Sequence, residues 1–132
     1  MTDAPAAPRK LKIATATLGG CFGCHMSFLD IDERILDFAR VATLDRSPIT
    51  DIKRGGPCDI AIVEGAVCNS ENVHMLRELR ANAKVLIAIG ACAVNGGLPA
   101  QRNHLDVGEL LKQVYFDEDS AEARPPNDPE LP

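Results

Sequence analysis

Tryptophan is absent from the 132 residues, tyrosine occurs once and phenylalanine four times. A surface so poor in aromatic rings lacks the stacking platforms on which single-stranded nucleic acids bind, and the core has to be aliphatic. Positive charge is also scarce. Fourteen Lys and Arg face 19 Asp and Glu, a formal net charge of −5, which repels phosphate backbones and anionic lipid surfaces alike. The longest apolar stretch, Val85 to Val94, is broken by Gly90 and falls short of the roughly 20 residues a membrane helix requires. Neither a nucleic acid nor a membrane is expected as a partner. Residues 1–10 hold Pro5 and Pro8 but neither an apolar signal core nor paired arginines, so a cytoplasmic protein is expected. No Gly-x-Gly-x-x-Gly, phosphate-binding P-loop or Gly-x-Ser-x-Gly occurs, which leaves dinucleotide, triphosphate and serine-hydrolase chemistry without local support.

Cysteine, in contrast, is present five times. An odd number in a chain of ordinary core size favours thiols for metal or redox work in a reducing compartment over a disulfide scaffold.

Hydrophobic periodicity predicts strands over Leu11 to Thr17, Asp59 to Val63 and Val85 to Ile89, with a further short strand over Val41 to Leu44. Between them lie helical stripes, one of Phe28, Ile31, Ile35 and Phe38, another of Val73, Leu76, Leu79 and Ala83 opened by Asn69 or Ser70 as a cap. A weaker helical pattern runs through Val107, Leu110, Leu111 and Val114. Alternation of strand and helix predicts an α/β fold, a three-layer, open, mostly parallel sheet. The chain divides into an N-terminal segment 1–10, one domain over 11–116, and an acidic, proline-rich tail over 117–132 to which no structure is assigned.

In a parallel sheet every loop that follows a strand emerges on one edge, where ligands bind. That geometry sorts the thiols: Cys21 and Cys24 follow the first strand, Cys68 the Asp59 strand and Cys92 the Val85 strand. Cys58 precedes its strand, about 16 Å away at roughly 3.3 Å per residue, and is expected to be a semi-buried structural thiol. Gly20, Gly23 and Gly90 flank the candidate cysteines and allow backbone to approach a bound group closely. Cys21-x-x-Cys24 at a strand-to-helix turn suits a metal centre or a dithiol redox pair. Thiols scattered over several strand ends fit an iron-sulfur cube better than a zinc knuckle. Glu64, at the end of its strand, is either a solvated or capping carboxylate or a proton-relay or docking group beside the site. His25 is expected at the surface of a helix start, or else as a donor to a cluster sulfur. His74 and His104 read as surface residues, Met26 and Met75 as packing residues, and Gly96-Gly97 with Pro99 as a tight loop.

Three segments together carry a family resemblance: Gly20-Cys21-Phe22-Gly23-Cys24, Glu64-Gly65-Ala66-Val67-Cys68-Asn69, and Gly90-Ala91-Cys92-Ala93-Val94-Asn95-Gly96-Gly97-Leu98-Pro99-Ala100. In this order they resemble the small subunit of [NiFe] hydrogenases, most of all that of the soluble, bidirectional, NAD-reducing type. The resemblance implies a flavodoxin-like domain holding a proximal [4Fe-4S] cluster, with Cys21, Cys24 and Cys92 among its ligands. It implies as partners a large subunit with the Ni-Fe centre, and iron-sulfur and flavin diaphorase subunits carrying further clusters, FMN and the NAD site. The family's fourth ligand lies in a Pro-Gly-Cys-Pro segment that the 132 residues do not contain, so it is expected from a missing C-terminal stretch or, failing that, from Cys68. The alternatives from other classes are a thioredoxin-like dithiol oxidoreductase, with Cys21 attacking and Cys24 resolving, and a flavodoxin-like FMN carrier.

Overall fold

A computed structural model describes residues 9–116; the expectations for 1–8 and 117–132 lie outside the described residues. Four strands, β1 (Leu11–Thr17), β2 (Ala42–Leu44), β3 (Cys58–Glu64) and β4 (Ala83–Ile89), form one sheet in the order β2-β1-β3-β4. Every pairing is parallel, with Ile13 beside Ile60, Thr17 beside Glu64, and Glu64 beside Ile89. This is the strand order of the flavodoxin-like arrangement, in which the chain reverses its direction of travel across the sheet between β1 and β3.

The helices are α1 (Gly23–Leu29), α2 (Arg34–Val41), α3 (Ser70–Asn82), α4 (Gly90–Asn95) and α5 (Val107–Phe116), with a 3-10 turn over Pro99–His104. Helix α3 begins as its sequence predicts, the Asn69 side chain accepting from the Asn72 N–H at 2.8 Å. It lays Leu79 and Met75 against Ala14, Ala16 and Ala61 on one face of the sheet. On the other face Phe28 of α1 meets Phe38 of α2 edge to face, ring centroids 5.1 Å apart, above Ile13, Leu44 and Ile62. The three layers follow from these two packings. Alanine supplies five of the nine buried apolar residues, Ala14, Ala16, Ala42, Ala61 and Ala83, so a helix can lie close upon the strands.

Four expectations need correction. The stripe from Phe28 to Phe38 is not one helix: Asp32 adopts a positive φ of 51° between α1 and α2, which interrupts the right-handed path, and the two phenylalanines meet across the break instead of along one stripe. Val41 ends α2 rather than opening β2, and Ala83 opens β4 rather than ending α3. Met26 is not a packing residue, since it is half exposed on the outer side of α1. Cys58 is buried at the start of β3, at the edge opposite the other thiols, and burial pushes its thiol pKa up.

At that opposite edge Asp59 fastens three segments. It accepts the Lys12 N–H at 2.9 Å, the Lys84 ammonium at 2.7 Å and the Arg9 guanidinium at 2.6 Å. The Lys12 N–H, then the Lys84 and Arg9 hydrogen bonds, hold its carboxyl well below the usual carboxylate range. A carboxylate depressed on folding adds stability that is complete above its unfolded pKa and fades as pH falls toward its folded one. We therefore expect Asp59→Asn to lower the melting temperature at neutral pH, with the deficit against wild type shrinking below about pH 4; thermal melts across pH 2.5–7 measure it. Removing the core leucine of α3 is expected to cost more. Leu79→Ala should destabilise by about 2–5 kcal/mol in urea titration.

Candidate metal centre

Because all four strands are parallel, the chain leaves β1, β3 and β4 on one edge. Two of those exits are tied together. Leu18 N–H donates to the Glu64 carbonyl at 2.9 Å, and Gly19 and Ala66 exchange N–H···O bonds of 2.9 and 2.7 Å. The close approach requires Gly65, whose φ is +85° and where a Cβ would fall 2.7 Å from the Leu18 carbonyl carbon. Glycine tolerates that conformation without strain.

The three cysteines of the two outer exits surround this junction. Cys21 is exposed, and Cys24 and Cys92 are half-buried. Each thiol rests against a glycine. A Cβ at Gly90, where φ is +78°, would collide with the Cys24 sulfur; one at Gly23 would lie 3.1 Å from the Cys21 sulfur; and one at Gly20 would lie 3.9 Å from the Cys92 sulfur and 3.3 Å from Gly65 Cα. Gly20, Gly23 and Gly90 thus clear space beside the sulfurs. The thiols also sense one another: Cys24 is pushed up in pKa by hydrogen bonding to Glu64 first, then by burial, then by the charges of Glu64, Cys21 and Cys92.

Cys68 stands apart. Its sulfur packs where a side chain at Gly19 would clash, its N–H donates to the Asn72 amide oxygen at 3.1 Å, and its carbonyl accepts from Arg102 at 2.9 Å. It shares with Cys92 a neighbouring cavity of about 400 Å³, but it is not among the groups that shift Cys24.

Sequence reasoning places His25 first at the surface and leaves Glu64 open between a solvated or capping carboxylate and a relay or docking group; both are buried, Glu64 at 3% and His25 at 4% exposure, and Glu64 caps the start of α1. Glu64 accepts the Cys24 N–H on Oε2 at 3.0 Å and pairs through Oε1 with His25 Nδ1. Burial raises its pKa, but the bonds from His25 and Cys24 outweigh it, and the carboxyl ends below its ordinary value. The other imidazole nitrogen, Nε2, lies 2.9 Å from Thr15 Oγ1, so neither ring nitrogen is left for a sulfur. His25 is covered in turn by the Phe22 ring, stacked at 4.7 Å and nearly parallel. Phe22 sits between the two cysteines at a positive φ of 64°, a conformation that costs a non-glycine residue about 1–2 kcal/mol, and the stack on His25 offsets part of it. The Cys24 N–H, which a helix start would present to a bound group, is taken by Glu64.

Thr15 and Ser47, 2.7 Å apart through their hydroxyls, complete the buried polar set. Neither carried a sequence signal: β1 also holds Lys12 and Thr17, so Thr15 does not stand out, and Ser47 lies in an irregular loop. His74 and His104 are exposed as expected, and Gly96 and Gly97 take positive φ in a tight turn before Pro99.

Among the described residues no three His, Cys, Asp or Glu side chains are grouped as a single-ion site. A tetrahedral zinc holds its thiolates at about 2.3 Å from one point.

The chain has relatives. A family model described as NADH ubiquinone oxidoreductase, 20 Kd subunit, matches residues 21–123. The delta subunit of the NAD-reducing hydrogenase HoxS of Cupriavidus necator is 47% identical over 124 residues, which are 92% of this chain and 59% of that protein. A subunit of the F420-non-reducing hydrogenase of Methanothermobacter thermautotrophicus is 41% identical over 110 residues, 81% of this chain and 36% of that protein. A chain in the crystal structure of an NAD+-reducing [NiFe]-hydrogenase in the H2-reduced state is 60% identical and superposes with a TM-score of 0.87, over 94% of this chain and 71% of that one. This chain therefore spans 36% to 59% of the length of these two curated relatives. On the match of the family model across most of its length, the chain belongs to the NADH ubiquinone oxidoreductase 20 Kd subunit family, with hydrogenase subunits among its relatives.

Proposed function

We propose that this chain is the electron-transfer small subunit of a cytoplasmic, NAD-reducing [NiFe] hydrogenase. In this reading it carries the proximal [4Fe-4S] cluster between the Ni-Fe site of a large subunit and an NAD-reducing diaphorase module of iron-sulfur and flavin subunits. The observation that carries the reading is the set of three thiols, Cys21, Cys24 and Cys92, delivered to one sheet edge by the exits of β1 and β4, each against a glycine. Relatives whose names are those of hydrogenase subunits support it, as does the absence, among the described residues, of any helix long and apolar enough to cross a membrane.

Bound there, a cluster would supply one-electron oxidation and reduction. The chain's own residues do the rest. Cys21, Cys24 and Cys92 are its thiolate ligands, and Gly20, Gly23 and Gly90 keep side chains out of the space it fills. The fourth thiolate is read as the cysteine of the Pro-Gly-Cys-Pro type that the resemblance implies, in preference to Cys68, which is not among the groups acting on Cys24. Glu64 is buried by this chain itself, so its part is to hold the Cys24 amide rather than to dock a partner. The raised pKa of Cys24 means that its proton has to leave before the sulfur ligates a metal.

The competing classes fit less well. A dithiol exchange between Cys21 and Cys24 leaves Cys92, at the same edge against Gly20, without a part. An FMN carrier needs a ring-stacking wall, and no aromatic side chain lines the neighbouring cavity beside Cys68 and Cys92.

Anaerobic iron and sulfide analysis with EPR on the purified complex tests the reading. Wild type is expected to be brown and to bleach on reduction. Because partner subunits carry clusters of their own, the result is read by difference: Cys21→Ser, Cys24→Ser and Cys92→Ser are each expected to lose one cluster's worth of iron and sulfide, about four of each per complex, with its EPR signal, and Cys68→Ala to lose none. A colourless protein that reduces disulfides, or a flavin spectrum without iron, would overturn the proposal.

A further inference from the structure

Four side chains link the candidate metal centre to the loop that follows β2 alongside β1. Ser47, Thr15, His25 and Glu64 are all buried, at 3%, 7%, 4% and 3% exposure, and join in that order through hydrogen bonds. Buried polar groups of this kind are costly unless every member is satisfied, and with the imidazole neutral the bonds run in one direction. Glu64 is an acceptor on both oxygens, so His25 Nδ1 carries the proton that faces it. In neutral imidazole that leaves Nε2 as an acceptor, so the Thr15 hydroxyl donates to it. Thr15 Oγ1 then accepts from the Ser47 hydroxyl. Ser47 Oγ is itself fixed, because it accepts the Ile49 N–H at 3.2 Å, while the Thr15 N–H holds the Arg46 carbonyl at 2.8 Å. Every donor in the run points toward the carboxylate.

The arrangement contains a hydroxyl, an imidazole and a carboxylate in the order of a hydrolytic triad, yet Thr15 is buried and its hydroxyl is spent between His25 and Ser47. No acyl substrate reaches it. The run has one other terminus, and that is the Cys24 N–H at the thiol-lined edge.

We propose that Ser47 and Thr15 are positioning residues for the metal centre, holding His25 so that the Glu64 carboxylate stands as a fixed negative charge against the Cys24 amide and sets the reduction potential of the bound cluster. The inference rests on the proposed function above. A negative charge held beside a cluster disfavours the added electron, and hydrogen bonding and nearby charge are the levers by which a protein tunes such a potential. A carboxylate released from His25 would spread over several placements and lose part of that effect.

The test uses the purified complex, with redox titration and EPR of the cluster alongside iron and sulfide content. Glu64→Gln removes the charge and is expected to favour the reduced form about tenfold, a rise of about 59 mV for a one-electron couple. Thr15→Val keeps the side-chain shape without the hydroxyl; it is expected to raise the potential by a smaller amount and to broaden the EPR spectrum, and Thr15→Ser to restore both. Ser47→Ala, which leaves β1 untouched, carries the same comparison if Thr15→Val does not fold. Wild-type potential and line shape in Thr15→Val and Ser47→Ala, with iron and sulfide complete, would overturn this inference alone. Iron, sulfide and EPR spectra unchanged from wild type in Cys21→Ser, Cys24→Ser and Cys92→Ser would overturn the proposed function and this inference with it.

Discussion

A carboxylate at 3% exposure is tolerated only where its charge is met, and the meeting of Glu64 with His25 and the Cys24 amide constrains everything around the thiol-lined edge. Glu64 ends the central strand β3, so it is held in place by pairing on both sides, to Thr17 of β1 and Ile89 of β4. From that fixed point its two oxygens reach across to α1 and set the start of that helix, with Cys24 on one and His25 on the other. The position of one thiol is thus referred to the middle of the sheet rather than to a free loop. Without the pair, the strand end would bury an uncompensated charge, a defect that costs several kcal/mol.

The same constraint accounts for the glycines. Once Glu64 is the meeting point, the exits of β1 and β3 have to cross within hydrogen-bond distance, as the exchange between Gly19 and Ala66 requires. Gly65 turns under Leu18 at a φ that leaves no room for a Cβ, and Gly90 turns beside the Cys24 sulfur. Glycine-rich loops at this edge are therefore demanded by the tightness of the crossing as well as by space for a ligand. Stability is placed elsewhere, in the packing of Leu79 on alanine-rich strands and in Asp59 at the opposite edge, where Lys12, Lys84 and Arg9 converge. The two edges divide the work.

How much of this was legible in the residues follows from the range over which each signal acts. The strands and α3 were, because β-branched runs and a capped apolar stripe are local patterns: β1 was read over Leu11–Thr17, and the Asn69 cap is where the sequence puts it. The sorting of Cys21, Cys24, Cys68 and Cys92 from Cys58 was legible too, since parallel topology alone fixes which edge a strand exit reaches. The break between α1 and α2 was not, because it turns on the backbone angle of Asp32, which the apolar stripe does not encode. The burial of His25 and Glu64 was missed for a similar reason. Each lies 39 residues from the other, and nothing next to either announces a partner. Ser47 lies further out of reach, being a hydroxyl in an irregular loop whose contact with Thr15 exists only after the sheet has formed.

The buried run also explains why a recognisable set of chemical groups is a poor guide when taken without its surroundings. Thr15, His25 and Glu64 have the composition and order of a nucleophile, a base and an orienting acid, and by that criterion would suggest hydrolysis. Burial reverses the inference. A nucleophile has to meet a substrate, and Thr15 meets Ser47; what faces outward at the same edge is sulfur. The exposed end of the structure is Cys21, and the buried end is the polar chain, so the reactive and the supporting parts are distinguished by access rather than by identity. On that ground the imidazole and carboxylate belong to the scaffold that positions Cys24, and the groups left open to a partner or ligand at this edge are the thiols.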